Sequence, residues 1–128
     1  MGHRLEAKCL ECGTSFDVDH DGGFTFHLVR CDQCGRTKSI GFEELGELHI
    51  RYLKGLTVPY SIATAKSDAA ARELPSGPPI SEDEYNVGVE LAAGHCKCGG
   101  KYTLNSPPRC PTCHSTSISE GRITIFYD

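Results

Sequence analysis

The chain has 128 residues, enough for one ordinary domain or two very small ones, and only 38% of them are hydrophobic, with no Trp and one Met, so its core is modest. The formal net charge of −4 weighs against strong non-specific binding to nucleic acid, where many phosphates must be neutralised. No apolar run approaches the roughly 20 residues that span a bilayer, and the start, MGHRLEAKCLECG, lacks the apolar stretch of a signal peptide; the expected location is the cytoplasm, away from membranes, where thiols stay reduced.

Residues 1–41 read as short strands around Cys9, Cys12, Cys31 and Cys34. FTFHLVR, 24–30, alternates as a strand does and leads into Cys31, with TKSI, 37–40, as its partner. Residues 42–54 read as one helix, with Leu45, Leu48, Tyr52 and Leu56 in an apolar stripe, Glu43 and Glu44 in its first turn, Lys54 in its last and Gly55 to end it. His49 lies on the same face and reads as a packed or half-exposed histidine.

SDAAAREL, 67–74, has the composition for one or two helical turns, and PSGPP, 75–79, is a turn-rich linker. Ser81–Ala93 carries a full set of helix signals: Ser81 with Glu84 as a capping box, Ile80 with Tyr85 as a hydrophobic staple, and Gly94 as the terminal cap. Gly88 inside it costs about 1 kcal/mol relative to Ala, so packing must support this helix. STSISEGRITIFYD, at the end, reads as a hairpin turning at Glu120-Gly121. The expected organisation is a first unit over 1–41, a helix and linker over 42–80, and a helix with a second unit over 81–128.

The eight cysteines carry the chemistry. Cys9-Leu-Glu-Cys12-Gly13 and Cys31-Asp-Gln-Cys34-Gly35 are knuckles: two residues between the thiols let one tight turn aim both sulfurs at one ion, and the Gly that follows can take positive φ. Two knuckles supply the four ligands of a closed tetrahedral zinc site. Cys96-Lys-Cys98-Gly99 and Cys110-Pro-Thr-Cys113 make a second set. Pairing within each group closes the shorter loops and is therefore expected over interleaving. Two zinc ions on eight thiolates would take the formal charge from −4 to −8.

CPTCH, 110–114, also matches the attachment pattern of a c-type haem. A haem would take two thiols from a set holding only two others, and a free dithiol pair would do the same, so half of a zinc site is the better reading. His114 is then a bystander or a group that contacts the ligands from outside, and His95, beside Cys96, can make the same kind of contact.

On CLECG, CDQCG, CKCGG and CPTC the chain resembles the zinc-ribbon superfamily, with two ribbons in one chain. The resemblance implies a small metal-stabilised α+β fold: two zinc ribbons of short antiparallel strands joined by a helical middle segment. CPTC is also similar to the knuckles of rubredoxins, which bind iron, but those usually have Gly where His114 stands and a Trp in the core. DVDHDGG, 17–23, imitates the start of an EF-hand loop through Asp17, Asp19 and Asp21, yet position 12 would be Leu28 where a Glu is needed. It reads as a solvated hairpin tip, without the Asp-Glu pair that ribbons of the transcription elongation factor S class carry there.

The function expected is a non-enzymatic interaction module with two structural zinc sites and a protein partner. No nucleophile–base order, phosphate loop or open metal position appears. Direct nucleic-acid binding is the alternative, through Arg30, Arg36, Lys38, Lys97, Lys101 and Arg109 around the cysteines; these cations equally offset negative zinc–thiolate units. A further alternative is a redox-responsive zinc–thiolate switch, since C-x-C followed by C-x-x-C resembles the zinc-release segment of redox-activated chaperones, whose pairs are farther apart.

Overall fold

The computed structural model describes residues 2–56 and 65–127. The part of the expected linker at 57–64 lies outside them.

Residues 2–9 alternate Leu5, Ala7 and Cys9 inward with Glu6 and Lys8 outward, the period-two pattern of a half-buried strand. This is β1 (Gly2–Cys9), and it pairs antiparallel with β2 (Ser15–His20) on one side. β3 (Phe26–Cys31) pairs with β4 (Thr37–Gly41), with His27 opposite Ile40 and Arg30 opposite Thr37, as the sequence suggests. β2 and β3 belong to different sheets, so 17–23 is the second half of β2 and the start of a crossover between sheets, and not a hairpin tip.

The expected helix over 42–54 is two: α1 (Phe42–Leu45) and α2 (Glu47–Gly55). Gly46 breaks it at φ 55°, ψ −120°, a conformation that side chains with a Cβ avoid. The break turns α2 so that its buried residues are His49 and Leu53. Leu48 and Tyr52 pack from the edge. α3 (Ala65–Arg72) is tied to α2 by Arg72, whose Nε donates to the Leu53 carbonyl at 3.0 Å.

α4 (Glu82–Ala93) starts as expected, with the Ser81 hydroxyl accepting from the Glu84 N–H at 3.2 Å, and ends at Gly94 with φ 73°. It buries Tyr85, Val89 and Ala93, one residue per turn. Gly88 is explained by α2: a Cβ there would come within 2.6 Å of a Leu48 methyl. The helix-propensity cost of this glycine is thus offset by the close approach of the two helices.

β5 (Tyr102–Thr103) adds to β3 and completes the sheet β4-β3-β5. The C-terminal segment is a single strand, β6 (Ile118–Tyr127), and not a hairpin. It pairs with β1 to give the sheet β2-β1-β6, and Gly121 falls at an irregularity where Ala7 faces Glu120 and Leu5 faces Ile123. The extra residue is absorbed as a bulge, so the Glu-Gly turn signal marks a bend within the strand.

The main core gathers Val29, Ile40, Leu45, Tyr85, Val89 and Tyr102 between the second sheet and the helices. At its centre the Tyr85 hydroxyl lies 2.7 Å from both His27 Nε2 and His49 Nδ1, with the Tyr52 ring stacked on Tyr85 at 4.1 Å. Burial, reinforced by His49, brings the His27 imidazole down to about 4, so this cluster is neutral at pH 7. Tyr85→Phe removes the hydroxyl that lies against both imidazoles and is expected to cost about 1 kcal/mol, read as a lower denaturant midpoint at unchanged slope.

The first sheet rests on far less. Its own buried cluster is Leu5, Ala7 and Val18, and every residue of β6 is at least partly exposed. Three side chains of this size do not offset the ordering of three strands. Something else must hold this sheet together.

Candidate metal centres

Three knuckles share one backbone design. In each, the first Cys N–H donates to the carbonyl five residues on, and the N–H four residues on donates back to the Cys carbonyl. The bonds are 2.9 and 3.0 Å at Cys9, 2.8 and 3.2 Å at Cys31, and 2.9 and 2.9 Å at Cys110. The residue four on takes positive φ: Gly13 at 79°, Gly35 at 77° and His114 at 62°. The C-x-C knuckle is the same turn one residue shorter, with Cys96 N–H to the Gly100 carbonyl at 2.8 Å and Gly99 at φ 93°. In all four an N–H reaches a sulfur at 3.4 Å.

His114 therefore occupies the glycine position of its knuckle. A non-glycine residue there costs about 1–2 kcal/mol. His114→Gly is expected to stabilise the protein by about 1 kcal/mol, seen as a raised melting temperature with metal content unchanged.

The four knuckles meet in two groups, but not the expected ones. Cys9 and Cys12 join Cys110 and Cys113, and Cys31 and Cys34 join Cys96 and Cys98. Each centre takes one knuckle from either end of the chain, which corrects the expectation of pairing within each group. The loop-entropy argument loses to sheet pairing: β6 on β1 and β5 on β3 bring the distant knuckles together.

In each group the sulfurs lie within 4.8 Å of one another. Cys9–Cys113 and Cys12–Cys110 are 3.5 Å apart, Cys31–Cys98 3.4 Å and Cys34–Cys96 3.6 Å. Metal–sulfur bonds of about 2.3 Å set tetrahedral corners roughly 3.8 Å apart, so the donor sets fit one ion each, and all eight cysteines are free of disulfides. Backbone N–H groups and burial also split the thiols. The Cys98 N–H leads in bringing Cys96 down to about 6, while burial pushes Cys34 up to about 12. At the other centre burial opposes ionisation of Cys110, but the N–H groups of Cys113 and Thr112 outweigh it and bring the thiol to about 6. The Ser115 backbone favours the Cys113 thiolate, yet the three neighbouring sulfurs hold that thiol at about 12. In each centre one thiol that resists ionisation lies beside one that favours it, a mismatch that a bound cation would relieve.

A family model described as Domain of unknown function (DUF8255) matches residues 5–119. The chain belongs to that family. No curated protein and no solved structure matches it. The DUF8255 match spans all eight cysteines, and so both centres.

The cations of this DUF8255 chain divide by role. Arg30 donates to the carbonyls of Asp19 and Ser106. Lys38 donates to the Ala93 carbonyl at 3.1 Å, at the end of α4, and lies over the Tyr102 ring. Arg109 donates to the His114 carbonyl at 2.9 Å. These three brace the frame, whereas Arg36, Lys97 and Lys101 are exposed. The EF-hand-like run is dispersed: Asp19 pairs with Arg4 at 2.7 and 3.1 Å, and among the described residues only the cysteines gather as ligand groups. Sequence reasoning passed over Thr14, whose hydroxyl is 3.1 Å from Cys12 Sγ and 3.2 Å from the Thr112 hydroxyl. It also missed Asp32, which accepts from the Lys101 N–H at 2.9 Å. Both sit inside or beside a knuckle, the one signal that marked them. No helix among the described residues is long and apolar enough to cross a membrane.

Proposed function

We propose that this chain is a zinc-binding, non-enzymatic interaction module: two structural four-cysteine sites hold a small cytoplasmic scaffold that offers its surface to a protein partner. The observation that carries this reading is the gathering of eight cysteines into two four-sulfur groups. All-thiolate tetrahedral sites suit zinc, and four cysteines leave no position for the water that a catalytic zinc keeps. The knuckle motifs are those on which the sequence resembles zinc ribbons. A protein partner is supported by β6, an edge strand on which Ile123, Ile125 and Phe126 are 42%, 49% and 67% exposed; unpaired strand edges accept another strand.

Exposed Arg36, Lys97 and Lys101 beside one centre favour a second reading, nucleic-acid contact, which requires affinity that falls steeply with salt. Metal analysis with a native thiol count tests the main proposal. Two zinc ions per chain are expected, with no thiol titrating before the metal is displaced. Eight reactive thiols in a folded, metal-free chain would refute it.

A further inference from the structure

We propose that the two centres are unequal and coupled. The inner centre, Cys31, Cys34, Cys96 and Cys98, loads first and holds its ion, and the outer centre, Cys9, Cys12, Cys110 and Cys113, is the exchangeable one. This rests on the metal-binding reading above.

The centres are nested along the chain. The outer one joins Cys12 to Cys110 across 97 residues, and the inner one joins Cys34 to Cys96 across 61. Closure entropy grows as the logarithm of loop length, so the inner centre closes at lower cost. Once it has closed, the outer centre needs to bridge only the 18 residues from Cys12 to Cys31 and the 11 from Cys98 to Cys110. Raising the ratio of those spans to the three-halves power, an occupied inner centre improves outer affinity about six-fold, and the coupling is reciprocal.

Packing gives the pair its asymmetry. Cys31 and Cys96 are members of the main core, with Cys34 packed against it. The outer cysteines belong to neither hydrophobic cluster; Cys9 ends β1, whose sheet has the small cluster of Leu5, Ala7 and Val18. The outer centre's Cys12 and Cys113 are exposed, whereas the inner centre exposes only Cys98.

The centres also touch. Gly35, next to Cys34, lies so close to Arg109, next to Cys110, that a Cβ on Gly35 would be 2.8 Å from the Arg109 Cβ and 3.0 Å from its backbone N. The Asp32 N–H donates to the Lys101 carbonyl at 2.9 Å. The stretch from Cys98 to Cys110 is therefore laid along the inner centre, and this sets the Cys110 knuckle where the outer centre needs it.

The test uses the intact zinc-loaded chain. EDTA is added in graded amounts, free thiols are capped with N-ethylmaleimide, and capped peptides are identified by mass spectrometry. At half removal, Cys9, Cys12, Cys110 and Cys113 are expected to be capped while Cys31, Cys34, Cys96 and Cys98 stay protected. Equal capping of both sets, or the reverse order, overturns the inequality. Competitive zinc titration of the double variant Cys31→Ser/Cys34→Ser is expected to show outer-site affinity at least six-fold below that of the same site in the intact chain. A change under two-fold overturns the coupling. A chain that takes up no zinc overturns the underlying reading instead, a separate result from two independent sites.

Discussion

Removing metal with a chelator is expected to unfold both ends of the chain together, with loss of sheet signal by circular dichroism and collapse of amide dispersion. On the proposed reading each four-cysteine site, with zinc bound, contributes on the order of 10 kcal/mol, comparable to the whole stability of a small domain. The first sheet has only Leu5, Ala7 and Val18 as its own buried cluster, and its strand β6 reaches it from the far end of the chain. Among the described residues nothing covalent or strongly hydrophobic would keep β6 on β1 without an ion at the outer centre. The main core, with Tyr85, Val89 and Ile40, is the part expected to retain helix longest. Survival of the complete spectrum after verified metal removal would show that the cysteines are not what holds the fold.

Gly100→Ala is expected to abolish stoichiometric metal binding at the inner centre. A Cβ at that position would lie 2.5 Å from Cys31 Sγ and 2.7 Å from Gln33 Cγ. Cys31 is fully buried and its sulfur is a ligand position, so it cannot give way without leaving the tetrahedron. The strain falls on the metal geometry rather than on a surface rotamer, and sites with displaced ligands lose affinity by orders of magnitude. Zinc content of the purified variant checks this: one ion or none is expected, against two for the parent. A variant that keeps two ions with unchanged affinity would mean that the C-x-C knuckle moves aside freely.

Much of this was legible in the residues because it is local. The knuckles, the strands beside Cys31, the Ser81 cap and the Gly94 stop are each written within a few positions, and each appears in the structure. The break at Gly46 lies unremarked inside a helix that reads straight through 42–54, and the bulge at Gly121 reads as a turn, since a glycine alone does not say whether a helix ends or a strand bends. The pairing of the knuckles was not legible at all. It depends on β6 choosing β1 and β5 choosing β3, a comparison of long-range pairings that loop entropy, the one term readable from spacing, decides the wrong way. Gly88 and Gly100 likewise appear as plain glycines until the neighbours that exclude a Cβ, Leu48 and Cys31, are known.

The nesting of the knuckles also bears on how the protein is made. Cys9 contacts a partner sulfur 104 residues downstream, and a ribosome adding about 5–20 residues per second takes roughly 5–20 s to supply it. Through that interval the N-terminal thiols are synthesised, reduced and without their ligand partners, and neither centre can be finished on a nascent N-terminal half. On the proposed metal-binding reading, maturation of this chain is therefore a late event, gated by the emergence of its last knuckle and by metal supply at that moment.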